Sequence, residues 1–248
     1  MFLGLARLRS GFTLVEVLVV MAVITVVLAL AVGAISKART TAQAGASLAN
    51  LRTIGQTFEM YTHDSGTYPW GLGGWGWPPR RGGLPWAISF SVWHTESYWP
   101  VFFHDHAPWP ENYRTWLSPG ADPERFEKII AGGVVGFGVS QLSSYSYSNS
   151  FVADPSLWRT PYKDGAVRIR ATRPDQVAFP GSKVLLYDAE RSYLRDPGPD
   201  APRPLLLADL SAHQRKDADA TEPVQNPLHG WSPRRYHDTP NGILGRDF

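Results

Sequence analysis

Glu16 is the residue whose position most needs a chemical reason. It is the single charge between Phe12 and Ile35 in a run that is otherwise mostly apolar. A carboxylate near a bilayer centre costs about 2.5–3.5 kcal/mol on insertion scales, and less toward the edge. A cation close by would offset that cost. If the chain is cut after Gly11, Phe12 becomes an N-terminus carrying a free amine, four residues before Glu16. Residues four apart on a helix share a face, so the amine and the carboxylate can pair, within one chain or between neighbours. Such a pair would set the axial register of a helix bundle, as single buried polar groups do in coiled coils.

Other groupings carry weaker chemistry. His104-Asp105-His106 on a strand would put both imidazoles on one face, but zinc needs a third ligand from elsewhere. No HExxH or second cluster supplies it, so the triplet reads as a polar loop between Phe103 and Pro108. His237 and Asp247, nine residues intervening, read as a hydrogen-bonded pair closing a hairpin rather than as a catalytic couple. Asp209, Asp217, Asp219 and Glu222 offer hard oxygens to calcium but lack EF-hand spacing, and a solvated acidic loop is the plainer reading. Gly71 to Gly76 matches GxGxxG, yet no strand feeds it and Pro78 and Pro79 follow, which removes the context a dinucleotide site requires. With no cysteine there is neither disulfide nor thiolate chemistry. No serine sits in a nucleophile elbow and no carboxylate pair stands out. The expectation is a non-enzyme without a cofactor or a bound metal.

The elements that position these residues follow from hydropathy and turn chemistry. Phe12–Ile35 as a helix spans about 36 Å, enough for a hydrocarbon core of about 30 Å. A secretory signal would have a shorter apolar core, and a plain anchor leaves Glu16 unexplained. Arg7 and Arg9 on one side are balanced by Lys37 and Arg39 on the other, so flanking charge does not orient the span. Beyond it, Leu48, Leu51, Ile54, Phe58 and Tyr61 form a stripe at helical spacing, with Asn50, Arg52, Gln56 and Glu59 facing elsewhere. Residues 36–62 therefore read as an amphipathic continuation that packs on a globular domain over 63–248. In that domain the tryptophans at 70, 75, 77 and 86 read as cover for a core edge or a subunit contact. Strands are expected at 87–93, 99–103, 144–148, 166–171, 183–188, 204–209 and 242–244, and a short helix at 123–131, with long loops at 104–123, 149–165 and 189–235. The fold class is α+β, a long helix laid on a small, mainly antiparallel sheet. Lys and Arg total 24 against 22 Asp and Glu, and two of the basic residues precede Gly11. This near-neutral balance argues against nucleic acid as a partner.

Gly11-Phe12-Thr13-Leu14-Val15-Glu16 with its apolar helix resembles the signal of type IV prepilins and type II secretion pseudopilins. The resemblance implies a leader over 1–11, cleavage between Gly11 and Phe12 by a membrane prepilin peptidase acting from the cytoplasmic side, N-methylation of Phe12, and a role for Glu16 in subunit docking. It further implies a single-pass inner-membrane protein with a periplasmic domain. The partners would be other pilin or pseudopilin subunits, joined through their N-terminal helices in a pseudopilus or pilus. Asp64-Ser65-Gly66-Thr67-Tyr68-Pro69 is similar to the turn that ends the helix in pseudopilins, and its composition is that of a helix stop. His237 and Asp247 also fit the H-x9-DG spacing found with many prepilin-like proteins. Phe248, however, stands where that motif has glycine, and Thr239-Pro240 replaces its glycine pair. The alternative is a periplasmic hydrolase or binding protein tethered by an uncleaved helix.

Overall fold

The computed structural model describes residues 12–71, 92–124, 127, 142–159, 169–227 and 232–248. The chain forms two compact units, one ending at Ala42 and the other spanning Gln43–Phe248. Helix α1 runs Leu14–Ser65 and, at 1.5 Å per residue, is about 78 Å long. It stops as its composition dictates. Gly66 takes φ 73° and its N–H donates to the Thr62 carbonyl at 2.9 Å, a left-handed cap that closes an otherwise open carbonyl.

In the second unit, the four-stranded antiparallel sheet has the order β1 (Tyr145–Tyr147), β2 (Val184–Asp188), β3 (Pro202–Leu207), β4 (Ala212–Lys216). The helix stripe packs against it. Leu51, Ile54 and Phe58 are fully buried, each burial being favourable by about 1.5–3 kcal/mol. Phe58 meets Phe103, Trp99 and Tyr147 at ring-centroid distances of 4.7, 5.5 and 5.7 Å. Gly55 allows the close approach, since a Cβ there would lie 3.3 Å from Leu206 Cδ1. Asn50 does not face away as its polarity suggested. It is half-buried and donates to the Leu117 carbonyl and the Tyr145 hydroxyl, both at 3.2 Å.

Both faces of the sheet are covered. Leu185, Leu186 and Leu206 join the helix-side core, while Val184, Leu205 and Leu207 join a smaller cluster with Ala220 and Tyr236. Strict alternation would separate Leu185 from Leu186. The register shift between Val184 and Leu186 inserts the extra residue that lets both point the same way.

Several sequence expectations are revised. Residues 99–103 form a 3-10 helix with Pro100 near its start, because a short apolar run does not distinguish a strand from a buried helical turn and proline suits a first helical turn. Residues 242–244 are also a 3-10 turn. Asn241 and Gly242 both have positive φ, and a Cβ on Gly242 would strike Trp158 at 2.7 Å. Strand β4 lies inside the expected 189–235 loop. Its His213, Gln214, Arg215 and Lys216 are all exposed, so it lacks the apolar alternation that announces a strand. Of 166–171, Ile169 makes an isolated bridge to Ala153 and 166–168 lie outside the described residues. So do 87–91, whereas Val92 and Trp93 begin a 3-10 turn. The loop 104–123 contains the short helix α2's successor: α2 is Thr95–Tyr98 and α3 is Trp109–Asn112. Near 123–131, the Glu127 N–H donates to the Pro123 carbonyl at 3.0 Å, and most of the remainder lies outside the described residues. Trp70 is half-buried against the core, while Trp75, Trp77, Trp86 and most of the GxGxxG stretch lie outside them.

Candidate functional site

Gly11 is outside the described residues. Phe12 and Thr13 precede the first helical residue, Leu14. Phe12 is therefore not on the helical face of Glu16, as the four-residue spacing suggested, because Thr13 caps the helix instead of continuing it. The Thr13 N–H and hydroxyl both donate to Glu16 Oε2, at 2.8 and 2.9 Å, and the Glu16 N–H donates to Thr13 Oγ1 at 3.2 Å. This reciprocal arrangement is a capping box. It bends the carboxylate back toward the chain entering the helix, next to the residue that cleavage after Gly11 would make the terminus. The Thr-x-x-Glu spacing was visible in the sequence and identifies Thr13 as a hydrogen-bonding neighbour of Glu16 that charge reasoning alone overlooks. Residues 12–30 are exposed, apolar side chains included. The helix is long and apolar enough to cross a membrane.

The second unit holds several buried polar centres. Asp188 accepts from the Ser47 and Ser118 hydroxyls and the Arg191 N–H, each at 2.8 Å, joining α1, the segment after α3 and β2. Burial raises its carboxyl above the ordinary range, against these donors. Asp217 receives Arg203 through both oxygens, at 2.8 and 2.6 Å, and the Tyr236 hydroxyl at 2.8 Å. Burial pushes Asp217 up, but the Arg203 hydrogen bond and charge, with Tyr236, leave it below its usual value.

His237 and Asp247 occupy separate networks, so the hairpin-closing pair is replaced by two structural centres. His237 Nδ1 accepts the Asn149 N–H at 3.2 Å, and Nε2 lies 2.6 Å from the Tyr187 hydroxyl. Ser146 Oγ is 3.4 Å from Nε2 and Glu96 Oε2 is 3.5 Å from Nδ1, an order resembling a nucleophile–base–acid chain. A catalytic imidazole of that kind donates its Nδ1 proton to the acid. Here Nδ1 accepts from backbone, which selects the opposite neutral tautomer. Asp247 instead accepts the Val184 N–H at 2.7 Å through Oδ2, which lies 3.1 Å from the Lys183 ammonium. Lys183 is fully buried and donates to Thr239 Oγ1 at 2.6 Å. Burial lowers the Lys183 amine, and Asp247 opposes that shift. Neither Lys183 nor Thr239 stood out in the sequence, since a lysine at a strand start reads as solvated.

The acids considered for calcium do not converge. Asp209 accepts the Ser211 N–H and hydroxyl within its hairpin, Asp217 holds arginines, Glu222 pairs with Arg235 at 2.7 Å, and Asp219 is exposed. Among the described residues no group of three or more His, Cys, Asp or Glu could hold a metal ion. His104–His106 form a turn rather than a strand, and His106 Nε2 lies 2.8 Å from Asp64 Oδ2 at the end of α1.

Residues 6–32 match the family model described as the prokaryotic N-terminal methylation motif. No curated protein and no solved structure matches the chain. The match covers the stretch around Gly11, Phe12 and Glu16 and the first part of α1. The chain thus carries a prepilin-type cleavage and methylation signal at the head of a long apolar helix, on a protein of α+β, pilin-like arrangement.

Proposed function

We propose that this protein is a structural, non-enzymatic filament subunit of the pseudopilin kind. A prepilin peptidase cuts between Gly11 and Phe12, Phe12 is N-methylated, and the mature chain waits in the inner membrane with its globular unit in the periplasm. Assembly moves the apolar helix from lipid into a bundle of like helices. The observation that carries this reading is the methylation motif over residues 6–32, coinciding with a helix segment whose apolar side chains have no burial of their own. The helix stop at 64–69 favours a type II secretion pseudopilus over a type IV pilus.

In the precursor the capping box supplies donors to Glu16. After cleavage the Phe12 amine adds a cation, on the same chain or a neighbour. The carboxylate is then better matched in the filament than in lipid, which gives assembly a direction. Glu16→Val tests this. Filament formation is expected to be lost while membrane insertion and cleavage persist. Filaments at wild-type yield would contradict the role given to Glu16, and a wild-type chain that forms no filament would favour a domain tethered by an uncleaved helix.

A further inference from the structure

Lys183, Thr239 and Asp247 form a closed, buried triangle that the filament role does not use. Their exposures are 0%, 2% and 2%. Lys183 Nζ lies 3.1 Å from Asp247 Oδ2 and 3.4 Å from Oδ1, so the carboxyl carbon joining those oxygens sits at the amine. The hydrogen bonds have a direction. Nζ donates to Thr239 Oγ1 at 2.6 Å, and the Thr239 hydroxyl donates to Asp247 Oδ1. A proton can therefore pass from the amine to one carboxyl oxygen through a single hydroxyl. The other oxygen, Oδ2, accepts the Val184 N–H at 2.7 Å. Backbone holds Asp247 in place, its N–H donating to the Ser182 carbonyl and its carbonyl accepting the Thr221 N–H, both at 2.8 Å.

We propose that Lys183 and Asp247 condense spontaneously into an intramolecular amide. A first proton moves from the Nζ ammonium through Thr239 to Oδ1, leaving a neutral amine beside a neutral acid. Burial favours release of the Nζ proton because a low-dielectric site penalises the ammonium, in line with the lowered Lys183 amine. The Nζ lone pair then forms a bond to Cγ, and negative charge gathers on Oδ2. The Val184 N–H already points there and acts as an oxyanion donor. The Cγ–Oδ1 bond breaks as a second Nζ proton follows the same relay, and Oδ1 leaves as water. Ammonium plus carboxylate become amide plus water, with no change of oxidation state and no co-reactant. Effective molarity supplies the drive, since the amine is held 3.1 and 3.4 Å from the two oxygens of the carboxyl group it attacks. Val184 and Thr239 touch the reacting atoms and are the catalytic groups. The bond would staple the start of β2 to the segment that runs past the second face of the sheet.

The test is a tryptic map of the detergent-extracted full chain. The expected product is peptide 171–191, uncut at Lys183, carrying the fragment that begins at Asp247 and lighter than the two together by one water. Arg173 precedes Pro174, so that bond stays intact. Complete cleavage after Lys183 in the wild-type chain, with an unmodified Asp247 fragment, overturns the proposal. Thr239→Val removes the relay but keeps both reacting groups. In pulse-chase, the bridge is expected to form about a hundredfold more slowly, the scale of general acid–base assistance. Formation at the wild-type rate would overturn the relay.

Discussion

Helix α1 contains two stretches with opposite fates. From Leu14 to Ile35 its side chains are apolar on nearly every face and, apart from half-buried Ala31, exposed. From Ser47 to Phe58 the apolar residues narrow to one stripe, and that stripe is buried. A helix that is apolar all round is suited to lipid or to a bundle of similar helices, whereas a striped one is suited to a single domain surface. Under the proposed function the contrast separates assembly from stability along one continuous element. The first stretch leaves its apolar side chains exposed, and the second anchors the fold.

This division can be broken from either end. Phe58→Ala should destabilise the globular unit by about 3–5 kcal/mol, read as a lowered thermal or denaturant midpoint, while peptidase cleavage at Gly11 continues. Val26→Asp should do the reverse. It adds about 2.5–3.5 kcal/mol to membrane insertion, read as a loss of membrane-fraction protein, with the midpoint of the globular unit unchanged. If each substitution altered both readouts, the two stretches would not be independent.

Smaller effects sharpen the same contrast. Thr13→Ala removes half of the capping box and should weaken the first turn by about 0.5–2 kcal/mol. Faster amide exchange at residues 14–17 would report it, with protection at 51–58 unaffected. The smallest effect is acid sensitivity confined to the globular unit. Asp217 has a folded-state value below its unfolded one, so its stabilising share is present above the unfolded value and is lost as pH falls through the folded value. Asp217→Asn should flatten the acid arm of a stability-versus-pH profile and leave membrane association at low pH unchanged.

What could be read in advance depended on whether the signal was local. Glu16, Gly11 and Phe12 stood out because one charge in an apolar run has few explanations. The stripe at Leu51, Ile54 and Phe58 and the strand at Val184–Asp188 were legible from periodicity and bounding turns. Strand β4 was not, because an edge strand with exposed His213 to Lys216 gains its pairing from β3 rather than from its own pattern. Residues 99–103 were misread because apolarity on all sides erases the period that separates strand from helix. His237 and Asp247 were read as partners of each other, whereas the groups they bond lie far off in sequence. Tyr187 is on β2 and Asn149 follows β1, while Lys183 leads into β2, and no spacing rule anticipates those meetings. Thr13 was the avoidable omission, since the capping-box spacing was present.

The central claim is that the apolar stretch is a processed assembly helix and not a permanent tether. Mass spectrometry of the N-terminal peptide from membrane-extracted protein tests it most directly. The expected result is a chain beginning at N-methylated Phe12. A terminus that still carries Gly11 and the residues before it, in cells with an active prepilin peptidase, would contradict the claim.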